Sequence, residues 1–443
     1  MTLTAGHAAA IITPPIGTMM EGYSANTEGS QGVHDDLHAR AIVIDDGETA
    51  VALVSCDLIG VDRHLVAEAR ERAHAATGIP AEHILVAGTH THQGPAGLRS
   101  RGDEQLMGVV ARHVAGAISA AHRTRRPVVL KAGTTQVDSV SQNRRHPEWT
   151  RDTEMHVLLL DDPDPLQPPL AALINFACHP TVLYHDNRLL SADYPGYAVR
   201  TVEQVFPGIG GAFFNGACGN VNPNWIEQVH AEAERVGKVV GAAAARLIGE
   251  LRPLGREQKA HNIRWDEHLD WPVTAGELIE DPRLRVASRR VDLPLRSYLS
   301  QEEYESRLAD LQTRLDATND WDEHRALMAQ ITRLRTERTV ASRIGERAGQ
   351  TVHPELQAIG LGDGVALLGL PGEFFVETVA DIRAQAGLRR LPVACYANHY
   401  IGYVVPPSAY DEGGYEAGVT LLAPEAEAIV KAEALSLLKE VAG

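Results

Sequence analysis

The chain has 443 residues, 44% of them apolar and 22% charged, the balance of a folded globular protein rather than a disordered one. Lys plus Arg number 41 against 58 Asp plus Glu, a formal charge of −17; such a field repels phosphate backbones and anionic lipid, so neither nucleic acid nor stable membrane association is expected. No apolar run reaches the ~20 residues of a membrane helix, and Met1 to Pro15 shows no basic segment leading into an apolar one.

The first clear element is a hairpin over 41–55, where two β-rich runs flank Asp46-Gly47. A helix follows from Arg63 to Ala76, closed by Gly78 and Pro80. Ile84 to Ala87 reads as a short buried strand that runs into Gly88-Thr89-His90-Thr91-His92-Gln93-Gly94-Pro95. A second helix spans Asp103 to His122, and strands recur at 128–132, 156–160, 170–177 and 211–214. A long helix fits 226–250 with Asn224 as its cap. The segment 297–347 is charge-rich, with Tyr304, Leu308, Leu311 and Leu315, then Leu327, Ile331 and Leu334, at spacings of three and four. It predicts an inserted αα-hairpin that packs on the body, caps a pocket or makes a homo-oligomer contact. Residues 356–370 form another hairpin around Gly362-Asp363-Gly364, a helix follows from Glu373 to Ala386, and the last helix runs from Pro424 to Val441. Helices alternate with strand pairs, which predicts an α/β fold of mixed sheets flanked by helices in one domain over 1–443. It argues against a regular (β/α)₈ barrel.

The chemistry-bearing residues cluster at strand ends, where α/β folds place their sites. His90 and His92 stand two apart, so in extended chain both imidazoles face one way. Two nitrogens converging from one strand suit a divalent transition metal, most often zinc. His179 lies in Asn175-Phe176-Ala177-Cys178-His179-Pro180, again where a strand stops. Alone it reads as a hydrogen-bonded core histidine. Glu373, in Pro371-Gly372-Glu373-Phe374, offers a carboxylate. Alone it reads as a residue of a first helical turn, favoured there by the helix dipole. Five of the eleven tyrosines fall between 396 and 415, a pattern that aromatic packing also explains. The four cysteines are widely separated and form no CxxC, the usage of a reducing compartment, so a cytoplasmic location is expected.

Several of these stretches together resemble the catalytic domain of the neutral ceramidases. The similarity begins at Ala10-Ile11-Ile12-Thr13-Pro14-Pro15 and Met20-Glu21-Gly22-Tyr23, and continues through Gln31-Gly32-Val33-His34 and Leu37-His38-Ala39-Arg40-Ala41. Gly88 to Pro95 resembles the most specific motif, with Gln93 where serine is common. Gln142-Asn143-Arg144, Phe176 to Thr181, Ser191 to Gly196, Leu370 to Phe374 and Gly402-Tyr403-Val404 follow in the expected order. The resemblance implies a zinc ion held by His90, His179, Glu373 and Tyr403, with His92, Arg144 and Tyr415 around the reacting amide. Tyr403 is left two roles, ligand or hydrogen-bond donor to the oxyanion. His92 is expected beside the metal as a proton shuttle.

Two departures narrow the expectation. Where the family commonly has a serine at the head of Ser-Asn-x-Gly-Asp-x-Ser-Pro-Asn, this chain has Gly216, which excludes a hydroxyl nucleophile there and favours metal-activated water. The sequence also ends about where the catalytic domain of the family ends, and its 297–347 hairpin is atypical. The expected activity is therefore zinc-dependent hydrolysis of the amide bond of a soluble, small-molecule N-acyl compound. An ester, lactone or carbamate hydrolase, or a non-catalytic metal-stabilised binding protein, are the alternatives.

Overall fold

A computed structural model describes residues 3–23, 28–99, 102–148, 151–164, 166–254, 276–344 and 349–442. Its twelve principal strands are β1 (Thr4–Ile11), β2 (His38–Asp45), β3 (Ala50–Cys56), β4 (Ile84–Gly88), β5 (Val129–Gln136), β6 (Glu154–Asp161), β7 (Ala171–Phe176), β8 (Gly210–Asn215), β9 (Arg285–Arg290), β10 (Glu355–Gly362), β11 (Val365–Gly369) and β12 (Val393–Ala394). The helices are α1 (Arg63–Thr77), α2 (Glu104–Arg123), α3 (Asp193–Val205), α4 (His230–Leu251), α5 (Gln301–Ala317), α6 (Trp321–Ile344), α7 (Val376–Ala386), α8 (Pro407–Glu412), α9 (Tyr415–Val419) and α10 (Ala426–Val441).

Three mixed sheets carry the architecture. The first runs β4-β3-β2-β1 with Arg126–Pro127 at its edge, the second β8-β7-β6-β5 with Gly276–Leu278 at its edge, and the third β9-β10-β11-β12. Neighbours are antiparallel except β3 with β4, β7 with β8 and β11 with β12. The alternation of side chains explains the layering. In β2, Ala39, Ala41 and Val43 face α1 and α2, while Ile42 and Ile44 face the other way. In β6, Val157 and Leu159 face α3 and α4, while Leu158 and Leu160 face inward. In β11, Ala366 and Leu368 face α7 and α10, while Val365 and Leu367 face inward. The inward residues of all three sheets form one shared apolar cluster. Strands buried on both faces read as near-continuous apolar runs.

The mixed α/β expectation and the absence of a barrel agree with this architecture. Differences lie at element ends. The long helix begins at His230, after an extended Val229, and not beside Asn224. Asn224 instead donates its Nδ2 to Ser141 O. The helix expected from Glu373 begins at Val376, because Glu373–Phe374 pairs as a short parallel strand with Tyr403–Val404. The inserted hairpin is present as α5 and α6, with Leu315, Leu327 and Ile331 buried between them and a full capping box on Ser300 and Glu303. Residues 345–347 of the predicted segment lie outside the described ones.

Candidate metal centre

The three parallel strand pairs aim their ends at one place. His90 follows β4, His179 follows β7, and Glu373 follows β11. His90 has φ 72, an unusual conformation for a residue with a side chain. Its amide is tied to Leu58 O at 2.8 Å. The turn lets its Nδ1–H donate to Ile59 O at 2.6 Å. His179 Nδ1 donates in the same way to Cys218 O. A carbonyl only accepts, so each bond fixes the tautomer and leaves an Nε2 lone pair.

Those lone pairs face one another. His90 Nε2 lies 3.2 Å from His179 Nε2 and 3.3 Å from His92 Nε2. Glu373 Oε2 lies 3.4 Å from His90 Nε2 and 3.3 Å from His179 Nε2, and receives no hydrogen bond. His90 is 1%, His179 0% and Glu373 3% exposed, so water screens none of this. Burial, then the Arg144 charge, holds His179 down at about 4. Burial, then the neighbouring imidazoles, holds His92 well below its ordinary value. Burial alone would raise Glu373, but the His90 and His179 imidazoles keep its carboxyl well below the usual range.

Three imidazole nitrogens and one carboxylate oxygen therefore converge on one buried place. Such a set repels itself unless a cation sits at its centre. Zinc ligands at about 2.0–2.1 Å in a tetrahedron stand roughly 3.4 Å apart, which matches the separations within His90, His179 and Glu373 and that of His92 from His90. The residues present thus fit a divalent metal of the zinc type.

The partners behind this set are equally specific. Tyr400 Oη donates to Glu373 Oε1, which leaves Oε2 to face the imidazoles. Arg99 Nη1 donates to Tyr400 Oη at 3.2 Å, and Arg99 Nε pairs with Glu21. The Tyr396 ring stacks on His90 with centroids 4.0 Å apart. Asn215, at the end of β8, ties both histidine segments together: its Nδ2 donates to Thr89 O and Cys178 O, each at 3.1 Å. Gly22 has φ 134, and a Cβ there would lie 2.6 Å from His92 Cβ, so only glycine lets the segment press against this histidine.

Of the seven expected site residues, His90, His179 and Glu373 converge as a set. His92 joins them: expected beside the metal, it has its Nε2 among the converging atoms, within 4.8 Å of both other imidazoles' ligand atoms. Tyr403, expected as ligand or oxyanion partner, accepts a hydrogen bond from Arg144 Nη2 at 2.9 Å. Arg144 is otherwise fixed by Glu416 at 2.7 Å and Asn222 at 3.3 Å. Tyr415 is 65% exposed, with its ring edge-on to Tyr403 at 6.0 Å, so it stands at the mouth of the site and not within it. Sequence reasoning gave no role to Tyr400, Arg99, Glu21, Tyr396 or Asn215. Asn215 alone carried a usable signal, a polar residue directly after the apolar run Ala212-Phe213-Phe214.

Fold and site together define a mixed α/β protein with a buried centre of three imidazoles and one carboxylate, suited to a divalent metal. Residues 4–237 match the family described as neutral/alkaline non-lysosomal ceramidase, N-terminal, and the chain belongs to that family, whose members are hydrolases acting on amide bonds. The neutral ceramidase of Pseudomonas aeruginosa is 24% identical over 467 aligned positions, covering 92% of this chain and 67% of that protein. That of Drosophila melanogaster is 29% identical over 245, covering 48% of this chain and 35% of its own length. The crystal structure of the Pseudomonas aeruginosa enzyme superposes with a TM-score of 0.74 at 21% identity, over all of this chain and 75% of the other. At that identity the superposition establishes the shared fold.

Proposed function

We propose that the protein is a zinc-dependent amide hydrolase acting on a small, polar N-acyl compound. The observation that carries this reading is the convergence of His90, His92 and His179 Nε2 with Glu373 Oε2 in one buried place. These four would hold the ion, which would need to expand to a fifth position for water or the substrate carbonyl, and His92 is thereby moved from proton shuttle to ligand. When bound there, such an ion polarises an amide carbonyl and brings the pKa of a water to around 7.

The chain's own groups do the rest. Arg144 donates to Tyr403 Oη, so the Tyr403 hydroxyl is left with its proton free to give to an oxygen of the substrate. Arg144 supplies positive charge beside that oxygen, held in place by Glu416 and Asn222. Tyr400 keeps Glu373 presenting a single oxygen.

The pocket next to Arg144 and Tyr415 favours a polar substrate. A pocket of about 480 Å³ opens beside Tyr415 and Arg144, walled by Arg145, His146, Glu412 and Glu416. Pockets for alkyl chains are lined mainly by hydrophobic side chains, and this one is not. Among the described residues no helix is long and apolar enough to cross a membrane. The test is turnover of short-chain N-acyl amides, long-chain ceramide and matched esters, before and after metal removal and zinc readdition. Metal-dependent cleavage of short amides is expected. A preference for ceramide would overturn the substrate assignment, and cleavage of esters alone would overturn the amide assignment.

A further inference from the structure

The hairpin of α5 and α6 touches the site's outer wall through one chain of contacts. On α6, Glu337 Oε1 lies 3.2 Å from Arg333 Nε and 3.5 Å from Arg296 Nη2. Arg296 in turn donates its Nη1 to Ala417 O, inside α9, at 2.8 Å. Its guanidinium lies over the Tyr410 ring at 5.3 Å, and Arg333 Nη2 reaches Tyr410 O at 3.4 Å. From α9 the chain runs inward. Glu416 grips Arg144 Nε at 2.7 Å and Arg145 Nη1 at 2.9 Å. Thr420 Oγ1 donates to Tyr403 O at 2.6 Å.

This arrangement is more than a hairpin needs for itself. Leu315, Leu327 and Ile331 of α5 and α6 are buried against each other, while Tyr304 and Val340 are buried outside that cluster. Among what α6 gives to the body are two polar contacts: Arg333 on Tyr410 O, and one carboxylate, 14% exposed, on an arginine 16% exposed that holds a carbonyl of the helix carrying Tyr415 and Glu416. α9 has five residues, and its N-cap Gly414 contributes no side-chain bond, so little within α9 itself holds it.

We propose that the hairpin sets the shape of the mouth: Glu337, acting through Arg296, is a positioning residue that fixes α9, and so decides which N-acyl compounds Tyr415 and Glu416 admit. The specificity half of this proposal rests on the amide-hydrolase reading; the positioning half does not.

The test compares the metal-loaded full chain with Glu337→Ala, Arg296→Gln and the conservative Arg296→Lys. Amide hydrogen exchange over 415–420 is expected to quicken about tenfold in the first two variants, while α1 and α2 keep their wild-type rates. KM for an amide with a bulky polar acyl group is expected to rise about fivefold, the size of one partly buried ion pair, while KM for an N-acetyl amide moves less than twofold. Arg296→Lys, which keeps the charge but not the fork, is expected to fall between. A purely structural role would quicken exchange everywhere and shift both KM values alike, and that result overturns the proposal. Unchanged exchange over 415–420 in the Arg296 variants overturns it too. If the wild-type chain cleaves no amide, the function reading fails, and the exchange data alone still decide whether α6 holds α9.

Discussion

Tyr400 decides which oxygen of Glu373 faces the three imidazoles. Its hydroxyl receives Arg99 Nη1, so its own proton goes to Glu373 Oε1. Partners behind a ligand are typically worth 10–100-fold in metal affinity. Tyr400→Phe is therefore expected to weaken zinc about that much, read by competition with a chromogenic chelator; unchanged affinity would show that Glu373 is held by the short strand alone. His92 is the second test at this scale. As a ligand, its loss in His92→Ala should empty the site at micromolar free zinc, in parallel with His90→Ala, by elemental analysis. Full zinc content with lost turnover would return His92 to the role of proton shuttle that its neighbourhood to His90 first suggested.

Strand ends assemble the site, and here the sequence was most informative. His90, His179 and Glu373 each follow an apolar run, and those runs became β4, β7 and β11. Each of these strands lies in one of the three sheets, and each is one member of a parallel pair. What remained hidden is the joinery. Asn215 binds the His90 and His179 segments through two carbonyls and also accepts from Cys178 N at 3.3 Å. Asn215→Ala is expected to cost about 2–4 kcal/mol, because buried carbonyls and an amide lose their partner at once. A urea midpoint that falls at constant slope would show it, and no change would mean the strands hold their ends unaided. Glu373 was misread as a helix start because a two-residue strand leaves no periodic signal, and its pairing with Tyr403–Val404 is set by distant chain. Tyr400 and Tyr403 stand three apart in one stretch. Nothing in their spacing tells which meets the carboxylate and which meets the arginine. The hairpin, by contrast, was legible because its leucines pair locally, at helical spacing.

At the scale of the whole molecule, a polar group at the seam between two sheets makes stability depend on pH. His7 lies in β1 of the first sheet, and its ring sits against the backbone of Gly210 in the second; a Cβ at 210 would overlap the ring. Its Nε2 is buried without a hydrogen-bond partner. Burial, and then the charge of Arg40, lowers its pKa from 6.5 to about 4. The sign follows directly. Above 6.5 the imidazole is neutral folded and unfolded alike, and stability is at its full value. Between 6.5 and about 4 the unfolded chain takes a proton that the folded one refuses, so stability is lost as pH falls, by up to roughly 3 kcal/mol at about 1.4 per pH unit. Asp57 works in the opposite sense: burial, opposed by Arg40, raises it from 3.8 to about 6, so its contribution is full below 3.8 and is lost as pH rises through 6. The wild-type curve blends the two, and a single profile will not separate them. His7→Leu removes one. The stability difference between wild type and His7→Leu should be flat above pH 7 and should move by about 3 kcal/mol in favour of the variant between pH 6.5 and 4, read from urea unfolding at each pH. Two curves that stay parallel across that window would mean that His7 finds a proton's welcome in the fold, and that the seam between the first two sheets is wetter than its packing indicates.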